Sequence, residues 1–168
     1  MRAATTGGLS SYSPKTRLIY IPALSNCATV TIDLEKHNKE RGWSGGLSTV
    51  SERWESSLTA ADPVTQEIKK SIHLPYPNSS GALSTGGGLV FLALLDGTVA
   101  AYDDTTLDEL WKINLGAPFK APPMSFEVNG RQYLAIVSGG GESARRRLAN
   151  TPELKEQRNA TVLYVFGL

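Results

Sequence analysis

The chain has 168 residues, 40% of them hydrophobic, with 16 glycines and 9 prolines, a composition that favours one turn-rich globular β domain over a helical bundle or a disordered chain. Lys and Arg total 17 against 16 Asp and Glu, and the formal net charge of +1 gives no overall electrostatic attraction for nucleic acid or an anionic membrane. A single cysteine, Cys27, excludes an intrachain disulfide and a CxxCH haem attachment, and no run reaches the ~18 apolar residues of a membrane span.

In chain order, MRAATTGGLSSYSPKT lacks the apolar stretch of a secretory signal and reads as the opening of a fragment, with the first plausible strand at 17–22. SPKT leads into RLIYIPA, STGGG into LVFLALL, and EVNG into RQYLAIVSGG, so each of these apolar stretches reads as the second strand of a hairpin. The first strands fall near 11–13, 82–84 and 124–128, joined by turns at Lys15 and Thr16, at Gly86, Gly87 and Gly88, and at Asn129 and Gly130. Between them, 26–55 and 139–159 are polar insertions that read as loops, the first carrying Trp43 and Trp54 and the second ending in a helical turn capped by Thr151. Cys27 reads as a buried thiol. GTVAAYD reads as a half-buried alternating strand, and ATVLYVFGL as an alternating terminal strand over 160–168.

One repeat organises these elements. SSLTAADPVTQEIKKSIHL aligns with GTVAAYDDTTLDELWKINL, placing Asp62 over Asp103 and Thr65 over Thr106 at an offset of 41 residues. Four strands per unit at a period near 40 is the mark of a propeller blade, whose faces are buried only by stacking on its neighbours. The fold expected is therefore all-β, a partial β-propeller with blades over about 9–74, 78–116 and, in part, 120–168.

Other groupings carry less chemistry. His37 and His73 have no partner at metal-ligand spacing, and Gly86 to Gly88 lacks the lysine and helix of a phosphate loop. The basic run Ser143 to Arg147 reads as a solvated loop, and Asp103-Asp104 and Asp108-Glu109 read as turn formers, since adjacent residues point apart.

The spacing A-x-D-x-x-T-G-x-x-x-W resembles the tryptophan docking motif of the PQQ-dependent (quinoprotein) alcohol and methanol dehydrogenases. It falls here on Ala60, Asp62 and Thr65, and again on Ala101, Asp103, Thr106 and Trp111. YSPKTRLIYIPA, LTAADPVTQ, GALSTGGGLVF, LDGTVAAYD and APPMSFEVNGRQYLAIVSGGG are similar to successive blocks from the C-terminal part of that family, in the same order. Gln66 and Leu107 stand where the motif has glycine, and Lys70 stands where its first copy would have tryptophan.

The resemblance implies a C-terminal fragment of an eight-bladed propeller that oxidises primary alcohols to aldehydes in the periplasm, with PQQ, a Ca²⁺ or lanthanide ion and a cytochrome c acceptor. It implies no catalytic base and no metal ligand in this chain, and leaves Asn78, Ser79 and the backbone from Gly139 through Gly140 to Gly141 as the cofactor-facing candidates. The partners implied are the upstream blades, with no nucleic acid and no membrane span. Two functions fit: a dehydrogenase segment that is inactive alone, or a non-catalytic scaffold built of the same repeats.

Overall fold

In the computed structural model the described residues are 3–5, 9–32, 46–139, 151, 154 and 161–168. They form three antiparallel sheets. The first contains β1 (Ala3–Thr5), β2 (Ser11–Ser13), β3 (Leu18–Ile32), β4 (Gly46–Ala61) and β5 (Ile68–His73). The second is the simple meander β6 (Leu83–Ser84), β7 (Leu89–Ala93), β8 (Thr98–Asp103) and β9 (Glu109–Asn114). The third has β10 (Met124–Val128), β11 (Arg131–Val137) and β12 (Leu163–Gly167).

The three expected hairpins form as β2/β3, β6/β7 and β10/β11. At the last of them Asn129 and Gly130 have φ of 53° and 75°. Positive φ at both central positions makes the twist of the turn match that of the strands it joins, which is why Asn-Gly is placed there.

Three sequence expectations give way. The insertion at 26–55 is not a loop for most of its described length. β3 and β4 continue pairing beyond a bulge between Asn26 and Ala28, from Ala28 opposite Val50 to Ile32 opposite Gly46. TVTI is β-branched throughout and STVS at its two central positions, a strand propensity that their polar content hides. Cys27 sits at that bulge and is exposed, where the sequence suggested a buried thiol.

The third correction concerns β8. Its burial is continuous from Val99 to Tyr102 instead of alternating. The second sheet is the middle layer: Val90, Leu92, Ala100 and Tyr102 join Leu18, Tyr20, Leu58 and Ala60 of the first sheet in one core. From its opposite face, Phe91 and Ala101 pack with Leu134, and Ala93 and Val99 with Phe119 and Ile136, toward the third sheet. A strand covered on both faces has no polar side to alternate with.

Hydrogen bonds fix the layers in register. Tyr20 Oη, fully buried, donates to Asp104 O at 2.6 Å across the first interface. Ser84 N–H donates to Ser11 Oγ at 2.7 Å, joining the inner strands of both sheets. Burial, with smaller contributions from Glu109 and Asp96, pushes the Tyr102 hydroxyl up to about 12.

Candidate functional site

The two copies of the repeated motif fold alike, atom for atom. Asp62 Oδ1 accepts from Val64 N–H at 2.8 Å and Thr65 N–H at 3.0 Å, and Asp62 O accepts from Gln66 N–H at 2.8 Å. Asp103 Oδ1 accepts from Thr105 and Thr106 N–H, both at 2.8 Å, and Asp103 O accepts from Leu107 N–H at 3.0 Å. The aspartate is required because one short carboxylate oxygen can satisfy two consecutive backbone donors within its own turn.

Those donors, Thr65 then Val64 for Asp62 and Thr106 then Thr105 for Asp103, hold both carboxyls below the usual carboxylate range. A depressed folded-state pKa stabilises the fold above the unfolded value near ~4, and this is lost as pH falls through the lower, folded value. Thermal melts below about pH 4 are therefore expected to show a loss of stability that Asp62→Asn with Asp103→Asn reduces. Asparagine keeps the accepting oxygen without a titrating proton; a double variant with an unchanged acid dependence would refute the assignment.

The motif's glycine position also has a physical reason. Gln66 and Leu107 both adopt left-handed backbone, with φ of 63° and 57°. Only glycine takes that conformation without strain. Gln66 is exposed, so Gln66→Gly is expected to stabilise the chain by about 0.5–1 kcal/mol in urea unfolding. Leu107 offers no such gain, because its side chain is buried in the core between the first and second sheets.

Strand register carries the likeness of the two copies beyond their turns. Ala60 pairs with Lys70 and Ala101 with Trp111, so the lysine occupies the position of the tryptophan. Trp111 meets Phe166 of β12 edge to face, ring centroids 6.0 Å apart. Beside them lies an apolar cleft of ≈ 300 Å³ between the second and third sheets, lined by residues including Leu89, Phe91 and Leu134.

The cofactor-facing candidates lie elsewhere, in the connection from β5 to β6. Asn78, Ser79 and Ser80 are consecutive buried polar residues. Asn78 N–H donates to Ser56 Oγ at 3.1 Å, while Asn78 Oδ1 accepts from Ser80 N–H at 2.9 Å. Since the atom facing Ser80 N–H must be the oxygen, the amide orientation is determined, and Asn78 Nδ2 is left buried without a partner among the described residues. Gly139 has φ of 133°, and Gly140 and Gly141 lie outside the described residues, as do His37, Trp43 and the run from Ser143 to Arg147. Of the helical turn suggested from Thr151, only Thr151 and Leu154 are described, joined by a bond from Leu154 N–H to Thr151 O at 2.9 Å.

His73 is exposed on β5, and no cluster of three or more His, Cys, Asp or Glu able to hold a metal occurs among the described residues. Asp104 is buried while its neighbour Asp103 serves the turn, so the adjacent carboxylates have separate surroundings. No helix among the described residues is long and apolar enough to cross a membrane. Sequence reasoning passed over Ser56 and Ser80, which bond the Asn78 backbone N–H and side-chain oxygen; serines in strands and turns give no local signal of such bonds.

Residues 32–134 match the family model described as the glucose/ethanol/alcohol dehydrogenase PQQ β-propeller domain. The chain belongs to this family. Lupanine 17-hydroxylase [cytochrome c] of a Pseudomonas species is 34% identical over 162 residues, covering 94% of this chain and 23% of the relative. Quinohemoprotein alcohol dehydrogenase ADH IIB of Pseudomonas putida is 32% identical over 166 residues, covering 94% and 24% respectively. Among solved structures, quinohemoprotein alcohol dehydrogenase ADHIIG of Pseudomonas putida HK5 superposes with a TM-score of 0.76 at 26% identity, covering 95% of this chain and 26% of that one. The chain is thus a part of a PQQ-type β-propeller, and spans about a quarter of the length of these curated relatives.

Proposed function

We propose that the chain is the C-terminal propeller portion of a PQQ-dependent alcohol dehydrogenase, inactive alone, that supplies one wall of the cofactor chamber to preceding blades. The observation that carries this reading is the match of residues 32–134 to the PQQ β-propeller family, in a chain that spans about a quarter of the length of its dehydrogenase relatives. Asn78, with Ser79 and Gly140 beside the cofactor, would hold an oxygen-rich rim. PQQ, when bound in the complete enzyme with Ca²⁺ or a lanthanide ion, accepts the two electrons and two protons that a primary alcohol loses in becoming an aldehyde.

The chain's own residues do structural work for that reaction. The two Asp-Thr turns and Trp111 act as docking elements that hold blade on blade, over about 9–74, 78–116 and 120–168. The outward face of the third sheet supports the reading that upstream blades pack there. Met124 pairs with Ala135 and Ala135 with Val165, which places Met124 and Val165 on one face, at 58% and 50% exposure. Phe126 and Val128 lie on that same face by alternation along β10, and Leu163 by alternation along β12. Apolar side chains in such a row call for a covering layer. In the complete enzyme, electrons pass on to a cytochrome c in the periplasm.

The test is reconstitution. The chain is mixed with a polypeptide carrying the preceding blades, PQQ and Ca²⁺, and dye-linked ethanol oxidation is followed. Activity is expected in the mixture and not in either part. A mixture that neither binds PQQ nor turns over alcohol would reject the enzyme reading in favour of a scaffold.

A further inference from the structure

We propose that the sheet covering the third sheet docks through an aspartate turn like those at Asp62 and Asp103, a main-chain carbonyl of that turn accepting from Tyr133 Oη and a carboxylate facing Arg131. This rests on the reading above that preceding blades lie against that face, in the three-quarters of the relatives' length that this chain does not span. One pair of cross-strand partners recurs in every sheet. Tyr20 is opposite Ala60 in the first, Phe91 opposite Ala101 in the second and Tyr133 opposite Gly167 in the third.

Each pair faces the sheet that follows it. Tyr20 and Ala60 are buried in the core shared with the second sheet, and Phe91 and Ala101 pack with Leu134 of the third. Leu134 points back to the second sheet, so its neighbour Tyr133 points outward, where it stacks on Phe126 with ring centroids 5.4 Å apart. The first interface shows what such a pair meets. Tyr20 Oη donates to Asp104 O, in the aspartate turn after β8. Lys15, from the hairpin turn before Tyr20, brings its ammonium to the same turn: a Cβ on Gly88 would stand 3.1 Å from Lys15 Nζ and 3.7 Å from Asp104 Oδ1.

The third sheet carries the same two donors at the same end. Among the described residues the Tyr133 ring is held by Phe126 and by Arg131, whose Cζ lies 5.7 Å from its centroid, and the hydroxyl has no hydrogen-bond partner. Arg131 is exposed, has no carboxylate partner among the described residues, and lies over Gly167, with Nη2 2.8 Å from where a Cβ would stand. Covering this face with apolar groups alone would bury a hydroxyl without an acceptor and a guanidinium without a counter-charge, both of which a stable interface avoids. An aspartate turn answers both, and it is the turn that follows β4 and β8 in this chain. Met124, Val128 and Val165 around them are apolar, so the two polar groups set the register of the contact.

The experiment measures association of the chain with the polypeptide carrying the preceding blades, by sedimentation velocity at low and high salt, for wild type, Tyr133→Phe and Arg131→Gln. Thermal melts of each chain alone run alongside. Tyr133→Phe keeps the ring on Phe126 and is expected to weaken association about fivefold to tenfold, the worth of roughly one hydrogen bond, with an unchanged melting midpoint. Arg131→Gln is expected to weaken it about tenfold at low salt and to reduce its salt dependence. Equally tight association of all three chains overturns this inference and leaves the reading above in place. A lower midpoint for Tyr133→Phe overturns it too, because the hydroxyl would then serve the chain's own fold. Self-association of the chain alone, weakened by the same substitutions, overturns the choice of partner in favour of a second copy, whose first sheet carries the Asp62 turn. Absence of any association by the wild-type chain overturns the reading above and this inference together.

Discussion

Gly97→Ala is expected to cost about 3 kcal/mol or more, the strain of a left-handed non-glycine residue adding to a backbone clash. Gly97 turns the chain from β7 to β8 with φ of 95°. A Cβ there would stand 2.9 Å from Ala117 N, 3.0 Å from Gly116 N and 3.1 Å from Ala117 O. All three are backbone atoms, so no side chain can rotate away to make room. The segment they belong to is the link from the second sheet to the third. Leu115 N–H donates to Gly97 O at 2.8 Å, Phe119 N–H to Leu94 O at 3.3 Å, and Gly139 N–H to Pro118 O at 2.7 Å.

Pushing that link outward would strain the seat of Phe119, which is fully buried and packs on Tyr164 at a centroid distance of 6.1 Å. The loss therefore reaches the third sheet as well as the turn. Urea unfolding of Gly97→Ala against wild type measures it. A change under about 1 kcal/mol would mean that the link gives way without disturbing either sheet.

How much of this was legible in the sequence depends on whether the signal is local. The hairpins were, because Asn129-Gly130 and the glycines at 86–88 state their turns within a few residues. The paired aspartate turns were legible as a repeat at 41 residues, and each turns out to rest on one carboxylate oxygen serving two backbone donors. The arm of β3 and β4 was missed because polarity suggested a loop, although its runs of threonine, valine and isoleucine favour a strand. Burial was harder still. Whether β8 is covered on one face or two depends on sheets whose residues lie far away in the sequence, and Cys27 is exposed because it falls at a bulge that no local pattern marks. At the candidate site Asn78 was identified through family resemblance, whereas Ser56 became visible only when folding brought it beside Asn78.

The second large effect is expected at Phe166, where alanine should destabilise the chain by about 3 kcal/mol. Phe166 lies on β12 opposite Leu134 and packs against the Phe91, Ala101 and Leu134 cluster, so it is the main apolar contribution of the last strand to the second sheet. Trp111 closes over its edge at an interplanar angle of 76°, yet remains 41% exposed. Half its surface gains little from the contact, and Trp111→Ala should therefore cost about half as much. If the two rings act as a pair, the double variant should lose less than the sum of the singles by about 1 kcal/mol. The first sheet supplies the converse experiment. Lys70 occupies the register position of Trp111, and Tyr102, whose ring faces the first sheet, stands on the third strand of its sheet as Phe166 does on its own. Lys70→Trp is then expected to stabilise the first interface by about 1 kcal/mol in urea unfolding. A loss on that substitution, together with additive effects at Trp111 and Phe166, would show that strand register alone does not make the tryptophan a docking residue.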